Sequence, residues 1–105
     1  MLKSSAGFQT NERESFELKC SGAAGFFLNL TWKKDDLPIN LAPNRVTIKK
    51  SGSILEDQQI ILNVRNSTPD DSGFYKCIGT PARAEDSPVV VGTEVVINSK
   101  CVCCL

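Results

Sequence analysis

Apolar residues in this chain recur at every second position over most of its length, and that alternation constrains the fold more than any other feature. Phe16, Leu18 and Cys20 share one phase, with Glu17 and Lys19 on the other. Val46 and Ile48 alternate with Thr47 and Lys49, and Ile60, Leu62 and Val64 with Ile61 and Asn63. Tyr75 and Cys77 form an inward pair, which leaves Phe74, Lys76 and Ile78 outward. The same phase puts Phe26, Leu28, Leu30 and Trp32 inside and Phe27, Asn29, Thr31 and Lys33 outside. A run from Val89 to Ile97 is rich in valine, and Gly92 within it is expected to form a bulge. A strand alternates its faces with a period of two, whereas a helix of about 3.6 residues per turn cannot.

Turn signals separate these runs: Ser21-Gly22, Asp35-Asp36-Leu37-Pro38, Ala42-Pro43-Asn44, Ser51-Gly52-Ser53, Pro69-Asp70-Asp71-Ser72-Gly73 and Asp86-Ser87-Pro88. Short strands at this spacing argue for an all-β, two-sheet antiparallel sandwich. At 105 residues the chain holds one domain, and a chain this size hides only about two-thirds of its unfolded surface, so a staple would help it.

Cysteine placement addresses that need. Cys20 and Cys77 stand 57 residues apart, each at the inward phase of its strand. Trp32 follows Cys20 by twelve residues at the same phase, and Tyr75 precedes Cys77 by two, just after a turn. A two-sheet sandwich needs a bridge between sheets, a large ring packed on it and a tyrosine corner, and these residues are spaced to supply them.

Cys20, Trp32 and the stretch Asp71-Ser72-Gly73-Phe74-Tyr75-Lys76-Cys77, with Leu62 in the preceding strand, resemble the immunoglobulin superfamily signature over about residues 8–99. The resemblance implies a Greek-key immunoglobulin-like sandwich, a Cys20–Cys77 disulfide, and a core built on Trp32, Tyr75 and Leu62. Trp32 to Ile39, followed by Arg45-Val46-Thr47-Ile48, resembles the I-set type; only thirteen positions lead from Trp32 to Arg45, which leaves little room for the extra strand of V-type domains, the V-like form staying open as the alternative. It further implies an Arg45–Asp71 ion pair, in which a guanidinium grips a carboxylate through two nitrogens. Two departures stand out. Asn66-Ser67-Thr68 occupies a place where the family usually carries an apolar residue, and Ser51–Gln59 exceeds the common hairpin length. The expected layout is an N-terminal flexible segment at 1–7, the domain at 8–99 and a cysteine-rich tail at 100–105.

Charge and composition bear on function. Twelve Lys and Arg balance twelve Asp and Glu, and no basic run occurs, which removes the electrostatic basis for nucleic-acid binding. There is no His, no glycine-rich phosphate loop and no metal-ligand spacing, so neither catalysis, a cofactor, a metal nor a small-molecule substrate is expected. Met1–Ser15 lacks a signal-type apolar core, and no run of about twenty apolar residues occurs, so membrane attachment would require an anchor outside these residues.

What remains is recognition of a protein. The outward face carrying Phe27, Lys33, Phe74, Lys76 and Ile78 is one expected partner surface. The loops 22–27 and 79–87 should meet at one end of the sandwich, where Arg83, Glu85 and Asp86 suit polar recognition. Asn29-Leu30-Thr31 and Asn66-Ser67-Thr68 are glycan acceptor triplets, though Pro69 after the second disfavours its use. Cys101, Cys103 and Cys104 resemble the membrane-proximal cysteines of leukocyte receptor chains and are candidates for inter-chain disulfides or acylation. The expected function is an extracellular recognition domain of a cell-surface receptor or adhesion molecule, secreted or at the plasma membrane, binding a protein ligand or counter-receptor as a homodimer or heterodimer. Two alternatives stay open: an intracellular I-set module of a muscle or cytoskeletal scaffold, and the ectodomain of a receptor kinase.

Overall fold

A computed structural model describes residues 2–4 and 7–99. Its strands are β1 (Leu2–Ser4), β2 (Phe8–Asn11), β3 (Phe16–Gly22), β4 (Phe27–Lys34), β5 (Leu37–Pro38), β6 (Val46–Ser51), β7 (Gln58–Val64), β8 (Gly73–Pro81) and β9 (Val89–Asn98). One turn of 3-10 helix, Pro69–Asp71, precedes β8. One sheet runs β1-β3-β7-β6 and the other β2-β9-β8-β4-β5. The two-sheet β-sandwich expected from the alternation is the observed architecture.

The core forms where the inward phases of the two sheets meet. Leu18 and Leu62 pair directly across β3 and β7, both fully buried. Cys20 and Cys77 are bonded across the sheets with Cα atoms 6.4 Å apart. Trp32 lies in register with Cys77, and its indole N–H donates to the Ile60 carbonyl at 3.3 Å, so the ring is buried without an orphaned polar atom. The Tyr75 hydroxyl donates to the Asp71 carbonyl at 2.6 Å, and its ring meets Phe16 edge-on at 6.1 Å between centroids.

Asp35 and Asp36 both take left-handed backbone angles, with φ of 50° and 65°, and close a two-residue turn between β4 and β5. With β5 only two residues long, the chain leaves that edge early and crosses to β6 in the other sheet. The long Ser51–Gln59 connection resolves into residues 52–57, where Gly52 has φ of 85°. Ser67 stands at the polar departure from the family pattern. It is buried, and its hydroxyl donates to the Glu14 carbonyl at 2.6 Å, so a serine fills an interior position at little cost.

Four sequence expectations are corrected. Within the stretch expected to be flexible, Leu2–Ser4 is instead a strand that pairs with β3 and buries Leu2. Pairing is not wholly antiparallel, since β2 runs parallel to β9. Gly92 forms no bulge: β8 and β9 stay in register through Lys76↔Gly92. Last, Phe27 is 4% exposed rather than outward, while Phe26 and Leu28 are exposed rather than inward. The pairing of β4 with β8 slips between Phe27 and Asn29, so one extra residue reverses the phase ahead of Leu30. The ring of Phe27 then lies over Gly22 and Gly79, where no side chain competes for the space.

Candidate binding surfaces

The outer face of the five-stranded sheet is ordered by β4, β8 and β9. Thr31, Ile78 and Val90 form one cross-strand row, and Lys33, Lys76 and Gly92 the next. Like charges directly opposite repel, and Lys33↔Lys76 is such a pair. Lys76 finds relief elsewhere: its ammonium lies 2.6 Å from Asp36 Oδ1 and 5.9 Å from the centroid of the Phe74 ring. The hydrogen bond from Lys76, its charge and that of Lys33 hold the Asp36 carboxyl below its usual range. Phe74 is 44% exposed, and Lys33, Lys76 and Ile78 are half-buried. Phe27, assigned to this face from the sequence, does not belong to it.

A second surface is built from three loops at one pole of the sandwich: 23–26, 52–57 and 82–88. They are tied together by backbone. Gly25 N–H donates to the Ile54 carbonyl at 2.8 Å, Ala24 N–H to Asp57 Oδ1 at 2.8 Å, and Ala82 N–H to the Phe26 carbonyl at 3.0 Å. Between the loops and the start of β1 opens a cleft of about 320 Å³, walled by Leu2, Phe26, Phe27, Pro81 and Val89 and completed by Asp86 and Ser87. Phe26 is 62% and Leu55 83% exposed, with Ile54 and Val89 also exposed on the pole and Leu28 just beside it. Arg83 is held by Glu85 at 2.7 Å.

Sequence reasoning missed Phe26, Ile54, Leu55 and Val89 as surface residues. A signal was present: Ile54-Leu55 sits between Ser51-Gly52-Ser53 and two acids, a turn segment with no strand phase to carry it inward.

Arg45 and Asp71 hold the opposite pole. Arg45 Nη1 donates to Asp71 Oδ2 at 2.8 Å and Nη2 to Oδ1 at 3.3 Å, while Thr68 N–H donates to the same Oδ2 at 2.8 Å. Burial by itself pushes the Asp71 carboxyl up, but the bonds from Arg45 and Thr68 and the charges of Arg45 and Lys34 bring it below its usual range. Arg45 is raised in turn, chiefly by the Asp71 hydrogen bond. Burial pushes the Tyr75 hydroxyl up. These groups satisfy one another, which makes the cluster a brace for the turn before β8.

Asn29 is exposed, and its side-chain oxygen accepts from Lys50 Nζ at 2.9 Å; Asn66 is exposed on a left-handed backbone with φ of 50°. Cys101, Cys103 and Cys104 lie outside the described residues. Among the described residues, no group of His, Cys, Asp and Glu is placed to hold a metal ion, and no helix is long and apolar enough to cross a membrane.

A family model described as immunoglobulin domain matches residues 7–88. Hemicentin-1 of Homo sapiens is 35% identical over 57 residues, which cover 54% of this chain and 1% of that protein, and hemicentin-1 of Mus musculus gives the same figures. The chain therefore spans about one hundredth of the length of these curated relatives. Among solved structures, the N-terminal eight Ig domains of Down Syndrome Cell Adhesion Molecule superimpose with a TM-score of 0.74 at 18% identity, over 90% of this chain and 12% of that one. A titin A168–A169 structure gives a TM-score of 0.68 at 14% identity, over 90% of this chain and 45% of that one. At these identities the structural likeness speaks to the fold.

Proposed function

This chain belongs to the immunoglobulin domain family, and from that premise we propose that it is a non-catalytic extracellular recognition module that binds a protein partner through its loop pole. The observation that carries this reading is an apolar cleft lined by Phe26 and Val89 at the loop pole, with Ile54 and Leu55 also exposed on the loop bonded to 23–26. Apolar surface left in water is unfavourable, and a contiguous patch gains that free energy back when a partner covers it. On the outer face, the Ile78–Val90 row lies nearer this end of β8 than Phe74 and Lys76, which sit by the Asp35-Asp36 turn, and it can extend the contact. The Cys20–Cys77 bridge supports an oxidising compartment, and Asn29 and Asn66 are the proposed glycan acceptors there.

Two measurements test the reading. A tetramerised form of the chain, titrated on a panel of cell types, should label a subset of cells, and Phe26→Asp with Leu55→Asp should abolish the labelling. Labelling that survives both substitutions removes the pole from the binding surface. For compartment, protein isolated from its source should show Cys20 and Cys77 bonded in non-reducing mass spectrometry; two free thiols would replace the extracellular reading with the intracellular scaffold.

A further inference from the structure

We propose that the loop-pole cleft takes a basic protein segment in which an Arg or Lys adjoins an aliphatic residue, an inference that rests on the pole being the protein-binding surface. The walls are apolar (Leu2, Phe26, Phe27, Pro81 and Val89), and Asp86 joins them in lining the cleft. A volume of about 320 Å³ lies at the low end for ligand pockets, which suits one long side chain and a small neighbour. Arg and Lys lay an apolar stem along such walls while the cationic head reaches a polar group at the mouth.

The charge around the cleft selects the same chemistry. The three loops carry Glu56, Asp57, Glu85 and Asp86 against the single cation Arg83, and Arg83 is already paired with Glu85. Glu56 accepts from the Ser53 hydroxyl at 3.1 Å and Asp57 from the Ala24 N–H at 2.8 Å; neutral donors position these carboxylates without cancelling their charge. An apolar cleft lined by Asp86, on a pole whose loops are net acidic, attracts a cationic partner and repels an anionic lipid surface, so exposed aromatic and aliphatic tips here favour protein over membrane.

The test uses the ¹⁵N-labelled 105-residue chain and three eight-residue peptides that differ only at their centre: Leu-Arg, Leu-Ser or Leu-Glu. Leu-Arg should shift the amides of Phe26, Ala82, Asp86 and Val89, and Leu-Glu should leave them unmoved. Asp86→Lys, on an exposed loop outside the core, should keep the folded spectrum and reverse the order of the two peptides. Asp86→Asn should weaken Leu-Arg binding by up to about fivefold, the scale of one exposed ion pair. Equal shifts with all three peptides would overturn the cationic requirement and leave the protein-binding pole standing. Shifts with none, or confined to Phe74 and Lys76, would remove the pole as a docking site. Phosphatidylserine vesicles are the fourth probe, and co-sedimentation lost in Phe26→Asp would put a membrane in the place of the protein segment.

Discussion

The ring of Phe74 occupies the space that a side chain on Gly92 would fill: a Cβ built there overlaps Cε1 and Cζ of the ring. Phe74 is directly opposite Glu94, yet its ring leans diagonally across β9 onto the bare glycine, within the reach of an aromatic side chain. An aromatic laid over a strand glycine shields backbone that glycine leaves open. Gly92→Ala should therefore turn the ring out, loosen its contact with Lys76 and cost about 1 kcal/mol. In a Phe74→Ala background the same change should be neutral or stabilising by about 0.5 kcal/mol, because glycine is a poor strand residue. A double-mutant cycle in urea reads the difference, and additive effects would separate the two residues.

Phe27 provides a sharper contrast along one short segment. Its ring fills the space over Gly22 and Gly79, and the Gln58 side-chain amide closes on its backbone carbonyl at 2.5 Å. Phe27→Ala should cost about 3–4 kcal/mol through the cavity it leaves. Phe26→Ala and Leu28→Ala, at exposed positions on either side, should stay within about 0.5 kcal/mol. Chemical denaturation of the three variants checks the order, and a large loss at Leu28 would restore the uninterrupted phase.

That contrast marks the limit of reading this chain from sequence. Alternation located β3 and β7 because they pair with each other without a slip: Phe16–Gly22 runs in continuous register against Gln58–Val64. One inserted residue at the start of β4 leaves composition unchanged and reverses every assignment before it. β1 went unread because three residues with a single buried side chain make no period. Cys20, Trp32, Tyr75, Arg45 and Asp71 could be singled out because they stand at the spacing of the immunoglobulin signature that the chain resembles. The pole could not, since its loops at 23–26, 52–57 and 82–88 converge through long-range bonds from backbone amides that no sequence pattern marks.

Acid should weaken the fold through Asp71. Its pKa is lowered in the folded protein, so the stabilisation is fully present above the ordinary carboxylate value of about 4 and is lost as pH falls through the lower folded value. At pH 7, Asp71→Asn should cost about 2 kcal/mol, the scale of a charge-assisted hydrogen-bond pair. Thermal melts from pH 7 to pH 2 should show the gap between wild type and variant closing below about pH 4. A constant gap would mean that the carboxylate charge contributes nothing and only the shape of the turn matters.

Removing the bridge tests stability and compartment together. Cys20 and Cys77 close a loop of 57 residues, which in the chain-entropy model stabilises by about 4 kcal/mol. Folded domains of this size have only about 5–15 kcal/mol in hand, so Cys20→Ala with Cys77→Ala should lower the melting temperature by tens of degrees or leave the chain unfolded. Mild reductant should reproduce the shift in the wild type and leave the double variant unchanged, which separates loss of the bond from loss of packing. The sulfurs are fully enclosed against Trp32 and the β3–β7 layer, so reduction should proceed only as fast as the domain opens. If the reduced wild type melts within a few degrees of the oxidised form, the buried thiols alone sustain the core, and the bridge no longer argues for life outside the cell.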